Sequence, residues 1–198
     1  MNDIAFQSPL DNFYTAGNYA LRSDVAPAYT IRIIKDLSIS KIMPFNGCDE
    51  PFKHFMKSTL GLVAPEPNSA YIAGTRTILS PEENKYFVTT EGEARSILSG
   101  RLQYALSEYA GIFEKSAAYS VMRIDGYHFC NILQTMICEP EKLKKQNHYA
   151  TFLKIDSDQI ILHQKSEDVT YLFLPRKIAP ECYRRIARSC LEFGVKLI

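Results

Sequence analysis

Ala94, Ile97, Leu98, Leu102, Ala105 and Tyr109 recur at helical spacing, the longest periodic run in the chain. Short runs rich in β-branched and aromatic residues, separated by polar turns, stand on both sides of it. A chain that switches between the two periods must pack helices against a sheet. Where the strand runs are joined by short polar turns, that sheet is largely antiparallel.

The individual elements follow from local chemistry. Residues 29–35 and 38–45 read as two neighbouring strands. Asp49 caps a helix with Pro51 in its first turn, and Phe52, Phe55, Met56 and Leu60 form its apolar stripe as far as Gly61. Residues 64–69 read as an irregular loop, and 75–79 with 85–89 as a hairpin around Ser80-Pro81-Glu82-Glu83-Asn84. Thr90 and Glu93 have capping-box spacing, which places the start of the long helix there, and Gly111 is placed to stop it. A strand over 117–124 precedes a helix that follows Gly126 and carries Phe129, Ile132, Leu133 and Met136. Three strands, 148–155, 159–163 and 169–174, come next, the first two joined by Asp156-Ser157-Asp158. The last helix opens at Pro180 with Glu181 beside it. Cys182, Ile186, Cys190 and Phe193 face inward, Arg184, Arg185 and Arg188 face solvent, and Gly194 lies near its end. The expectation is an α+β fold with packed helices, and no internal repeat is evident in the residues.

Residues 1–28 lack either period and read as an extended N-terminal arm, followed by one α+β domain over 29–198. The arm carries Phe6, Leu10, Phe13, Tyr14 and Tyr19, too apolar for a free tail, and aromatic anchors of this kind favour a partner surface. With 198 residues, 46% hydrophobic, 23% charged and a formal charge of +1, the chain has the make-up of an ordinary globular domain. That charge argues against a nucleic-acid footprint: Lys142, Lys144 and Lys145, and the three arginines of the last helix, read as solvated faces. The start of the sequence does not read as a signal peptide, and no apolar stretch approaches the roughly 20 residues of a membrane span, so a cytoplasmic location is expected. Five scattered cysteines fit that compartment and form no Cys-x-x-Cys pair.

The residue patterns assign no catalytic, cofactor-binding or metal-binding residue. Glycine-rich nucleotide loops, nucleophile elbows and His-Glu-x-x-His are absent from the sequence. Among the histidines, His54 shares a helix with solvated lysines and His128 stands near a helix start. His148 and His163, on adjacent predicted strands, are able to approach each other but lack a third ligand. Glu82 and Glu83 sit in a turn, without the burial that would separate their acidities. Cys48 precedes a helix start, with no histidine motif near it.

Several stretches, in order, resemble the gamma subunit of heterotetrameric sarcosine oxidases. Leu60-Gly61-Leu62-Val63-Ala64-Pro65-Glu66-Pro67-Asn68 is similar to a loop of that family, and Ile78-Leu79-Ser80-Pro81-Glu82-Glu83 to its hairpin. Ser120-Val121-Met122-Arg123-Ile124-Asp125-Gly126 resembles a strand and turn, and Thr170-Tyr171-Leu172-Phe173-Leu174-Pro175-Arg176 the strand before the closing helix. Ser8-Pro9-Leu10 resembles the family's start. The chain departs from the pattern in lacking tryptophan and in placing Pro65 one residue late. The resemblance implies a fold related to the folate-binding domain of the glycine-cleavage T-protein. It implies a non-catalytic subunit supporting an assembly that demethylates sarcosine to glycine, the one-carbon unit passing to tetrahydrofolate or leaving as formaldehyde. FAD, FMN, NAD and tetrahydrofolate are then expected on larger flavin-containing partner subunits. Two other readings stay open: a free-standing folate-binding or aminomethyltransferase-like protein, and the equivalent subunit of a related N-methyl amino acid dehydrogenase.

Overall fold

The computed structural model describes residues 10, 15–21 and 26–198. A short strand, β1 (Gly17–Tyr19), comes first. The next segment runs β2 (Tyr29–Ile34), β3 (Leu37–Pro44), α1 (Asp49–Leu60), β4 (Ser69–Ala73), β5 (Arg76–Glu82), β6 (Lys85–Glu91) and α2 (Arg95–Leu106). The same order then recurs as β7 (Ala110–Glu114), β8 (Tyr119–Asp125), α3 (Phe129–Leu133), β9 (Tyr149–Ile155), β10 (Asp158–Gln164), β11 (Val169–Pro175) and α4 (Ala179–Cys190), before a last strand, β12 (Val195–Leu197). Each half is thus two strands, a helix, three strands and a helix.

The halves exchange their first strands. β2 pairs with β8 of the second half, and β7 pairs with β3 of the first. One sheet results, in the order β1-β12-β2-β8-β11-β10-β9-β4-β5-β6-β3-β7. Every described pair is antiparallel except β12 with β2. The fold is α+β with a largely antiparallel sheet, as the mixed periods require. The repeat that the residues do not show is a repeat of topology: β5 and β10 present Leu79 and Ile161 to the shared interior, and β6 and β11 present Phe87 and Phe173. Only the inward parity and the order of elements have to match, so residue identities diverge freely.

Alternation along the strands separates three cores. On the outer face of the first half, Ile42, Ile78 and Val88 pack under Phe52 and Met56 of α1 and Leu98, Leu102 and Leu106 of α2. On the outer face of the second half, Met122, Ile160 and Leu172 pack under Phe129 and Leu133 of α3 and Cys182, Ile186 and Cys190 of α4. The inner faces meet in a third cluster that includes Ile39, Leu79, Phe87, Val121, Ala150, Ile161 and Phe173. At its edge Phe87 meets Phe152 edge-on, with ring centroids 6.0 Å apart. Each fully buried Val, Leu, Ile or Phe side chain here contributes about 1.5–3 kcal/mol from area removed from water.

Several local expectations are corrected. β2 and β3 are consecutive but lie in different halves of the sheet, because β2 pairs with β8 of the second repeat whereas β3 stays beside β6 of its own. Thr90 does not cap α2: it is buried in β6, paired with Ser38 and Arg76, and the sheet ladder outweighs the capping alternative. Glu93 instead bridges Arg76 (3.4 Å) and Arg101 (2.8 Å), and α2 begins at Arg95. Gly111 lies inside β7, not at a helix end, and β4, β7, β12 and β1 are strands that the local patterns did not reveal. Asp49 is the first residue of α1, after Cys48 at the cap position, while Gly61 ends the helix as expected, at φ 65°. Ile97 and Phe193 are 47% and 44% exposed, so the inner faces of the two helical segments are Leu98, Leu102 and Leu106, and Cys182, Tyr183, Ile186 and Cys190.

Of the N-terminal arm, the described parts lie on the chain's own domain. Leu10 is fully buried in the second-half core, and Gly17–Tyr19 pairs with β12. Phe6, Phe13 and Tyr14, the anchors expected to reach a partner, lie outside the described residues.

Candidate functional site: the cleft between the halves

Where the inner faces diverge beyond Phe173 they leave a cavity of about 230 Å³, walled by the ends of β3, β5 and β6 on one side and of β10 and β11 on the other. Strand parity decides its lining. The positions that carry Leu79, Phe87 and Ile161 deeper in the interior carry Thr77, Thr89 and His163 one inward step further along. Thr89 donates to the Thr77 carbonyl (3.4 Å).

His163 is the deeply buried ionisable group here, 3% exposed, with its ring stacked on Tyr171 at 5.7 Å and Nε2 without a hydrogen-bond partner among the described residues. Burial, and then the charges of His148 and Lys165, lower its pKa to about 3, so the ring is neutral at physiological pH. Burial also raises the Tyr171 phenol, against the opposing influence of Arg123 beside it. Glu91 and Lys165 are exposed at the mouth. The cleft thus offers hydroxyls and one neutral imidazole inside, with charge at its rim. A neutral His163 has one ring nitrogen able to donate a hydrogen bond and one able to accept.

A second, open cleft of about 610 Å³ is lined in part by Asn68 and Tyr149 at the β4–β9 junction. Its walls carry Glu82, Glu83, Glu141, Lys142 and Lys144. Glu82 ends β5 and is paired with Lys85 at 2.7 Å.

The other singled-out residues are dispersed. His54 is on the outside of α1, edge-on to Phe55. His128 precedes α3 in a left-handed conformation, φ 61°. His148, one residue before β9, donates its backbone N–H to the Lys165 carbonyl (3.4 Å), and His163 lies opposite Ala150 in the β9–β10 ladder, close enough for the His148 charge to act on it. Among the described residues no group of three His, Cys, Asp or Glu is placed to hold a metal ion. Cys182 and Cys190 are buried in the core, and burial pushes their thiols up to about 11 and about 12. No helix among the described residues is long and apolar enough to cross a membrane. Sequence reasoning noticed His163 only as half of a pair. Its burial depends on the inner faces meeting, which strand periodicity does not show.

No family model matches the sequence, and no curated protein sequence matches it. Solved structures do share the fold. One is a chain of the heterotetrameric sarcosine oxidase from Corynebacterium sp. U-96 in complex with pyrrole 2-carboxylate: TM-score 0.71, 16% identity, covering 85% of this chain and 88% of that one. Another is the glycine cleavage system aminomethyltransferase T from Bartonella henselae: TM-score 0.62, 9% identity, covering 88% of this chain and 48% of that one. This chain therefore spans about half the length of the aminomethyltransferase chain. The fold implied by the sequence resemblance is the fold the chain has.

Proposed function

We propose that the chain is a non-catalytic subunit of the gamma type in an assembly of the heterotetrameric sarcosine oxidase kind, supporting that assembly while larger flavin-containing subunits carry the chemistry. The observation that supports this reading is the fold match of nearly equal coverage, 85% and 88%, to one chain of such an oxidase. FAD, FMN, NAD and tetrahydrofolate belong, on this reading, to the partner subunits. The test is co-expression with candidate flavoprotein chains. A stable complex with sarcosine oxidation, and no turnover by this chain alone, supports the subunit; turnover by the isolated chain refutes it.

A second reading, a folate-binding or aminomethyltransferase-like protein, is favoured by the fold shared with the aminomethyltransferase and by Glu91 standing next to the Thr89 and Thr90 hydroxyls at the cleft. Titration calorimetry of the isolated chain with tetrahydrofolate separates the two. Saturable heat lost in a Glu91→Gln variant supports folate binding, and no heat removes it.

A further inference from the structure

The two halves are alike in order but end differently at the two flanks of the sheet. Beyond β8 the sheet continues through β2, β12 and β1. Beyond β3 it has β7 alone, and the outer edge of β7 pairs with no described strand. β2 and β7 are the exchanged first strands of their halves, so they hold equivalent places, each antiparallel to its inner neighbour. One carries a further strand, and the other carries none among the described residues.

The phase of the β3–β7 ladder shows which groups are bare. Phe45 donates to Tyr109 and Lys115 to Ile39, so the odd-numbered residues of β3 form the hydrogen-bonded pairs with β7. Gly111 and Phe113 therefore spend their backbone groups on β3, while the N–H and C=O groups of Ile112 and Glu114 point away from it. An edge of this kind is a template for another strand unless it is shortened, bulged or covered. β1, at the opposite flank, has only three residues; β7 has five.

The sheet face next to this edge is apolar and basic. Met43, Phe45 and Phe113 are 36%, 48% and 47% exposed on the side away from α2. Phe113 lies back over Gly111, where an added methyl would come within 3.1 Å of the ring. Lys41 lies opposite Phe113 on the same face, and the Lys85 and Lys115 charges both act on it, against a weaker opposing influence from Glu82. Cations gathered beside exposed aromatics at an open edge call for a strand that brings a carboxylate and apolar side chains on one face.

We propose that β7 is a docking edge that accepts an extended, acidic–apolar segment of a partner polypeptide as an additional strand, its apolar side chains on Met43, Phe45 and Phe113 and its carboxylate toward Lys41 and Lys115. The equivalent strand, β2, already carries β12 in this way. The proposal deepens the subunit reading by naming the face that docks. Its test uses the isolated chain, so failure to find a flavoprotein partner and failure of strand addition are read separately.

The probe is a capped seven-residue peptide with threonine at alternate positions and valine, glutamate and valine between them; its control has lysine for glutamate. Amide hydrogen exchange of the full chain is followed by NMR as each is added. The glutamate peptide slows exchange at Ile112 and Glu114 by about tenfold or more, and the lysine peptide does not. Equal protection by both peptides, protection by neither, or protection at β1 instead overturns the proposal. So does slow exchange in the peptide-free chain together with a dimer mass by light scattering, which would make the occupant a second copy.

Discussion

Asn68 and His148 hold the same place in the two halves, and each binds the strand of the other. Both stand immediately before the first strand of a three-stranded meander, both have left-handed backbones (φ 61° and 56°), and their carbonyls accept from Ala150 and Ala70 at 3.3 and 2.7 Å. This reciprocal pair, with Ser69 opposite Tyr149, joins β4 to β9 and makes one sheet of two repeats. Asn68 adds a side-chain tie, accepting from the Thr151 hydroxyl at 3.1 Å.

Asparagine tolerates the left-handed region better than alanine does. Asn68→Ala adds backbone strain and removes the Thr151 bond, and is expected to cost about 1–3 kcal/mol. Asn68→Gly removes the bond alone and costs less. Urea unfolding of the two variants checks the order; an alanine variant as stable as the glycine one contradicts the role given to the backbone.

His163 makes stability depend on pH in a defined window. Its folded pKa of about 3 lies below the ordinary 6.5, so between those values the unfolded chain binds the extra proton. Its contribution is fully present above pH 6.5 and is lost as pH falls toward 3, at about 1.4 kcal/mol per pH unit inside the window. His163→Leu is expected to flatten this dependence. Thermal unfolding from pH 7 to pH 4 measures it, and parallel curves for the two proteins would show that His163 is not the titrating group.

The two faces of α2 give a mutational contrast. Leu102 is 1% exposed under the first-half sheet, so Leu102→Ala is expected to cost about 2–5 kcal/mol. Ile97 faces solvent, and Ile97→Ala is expected to cost under about 1 kcal/mol. Comparable losses at both positions would favour the apolar face read from periodicity.

Gly126 packs where no side chain fits. At φ 155° a methyl group there would come 2.3 Å from the Tyr29 ring and 2.8 Å from the Ala28 carbonyl oxygen. Gly126→Ala must therefore displace backbone as well as a ring, and is expected to lower the melting temperature by several degrees, about 2–4 °C per kcal/mol for a chain of this size. An unchanged melting temperature contradicts the close approach of β2 to this turn.

Thiol reactivity separates the cysteines. Cys182 and Cys190 are buried with raised pKa values, whereas Cys138 is exposed. Iodoacetamide at pH 7.5 is expected to modify Cys138 in the native chain and to reach Cys182 and Cys190 only on unfolding. Mass spectrometry of the labelled peptides decides it.

Most of the fold was legible where local chemistry and burial agree. The stripe of Phe52, Phe55 and Met56 with Gly61 after it gave α1, and the runs around Ile161 and Leu172 gave the second-half hairpin. What failed depended on partners far along the chain. Thr90 has capping chemistry but is held by Ser38 and Arg76, and Gly111 has stop-signal chemistry but pairs with Met43. The exchange of β2 and β7 leaves no local trace, since either strand satisfies its ladder with any extended neighbour. The cleft was half visible: His148 and His163 were placed on adjacent strands, but the burial of His163 comes from the opposing half.

The subunit role is tested most directly by measuring sarcosine turnover and flavin absorbance for the purified chain alone and for the same chain co-expressed with candidate large flavoprotein subunits. The expected result is a colourless, inactive chain that comigrates with the flavoprotein in an active complex. Turnover by the chain alone, or an active flavoprotein assembly that excludes it, would contradict the account.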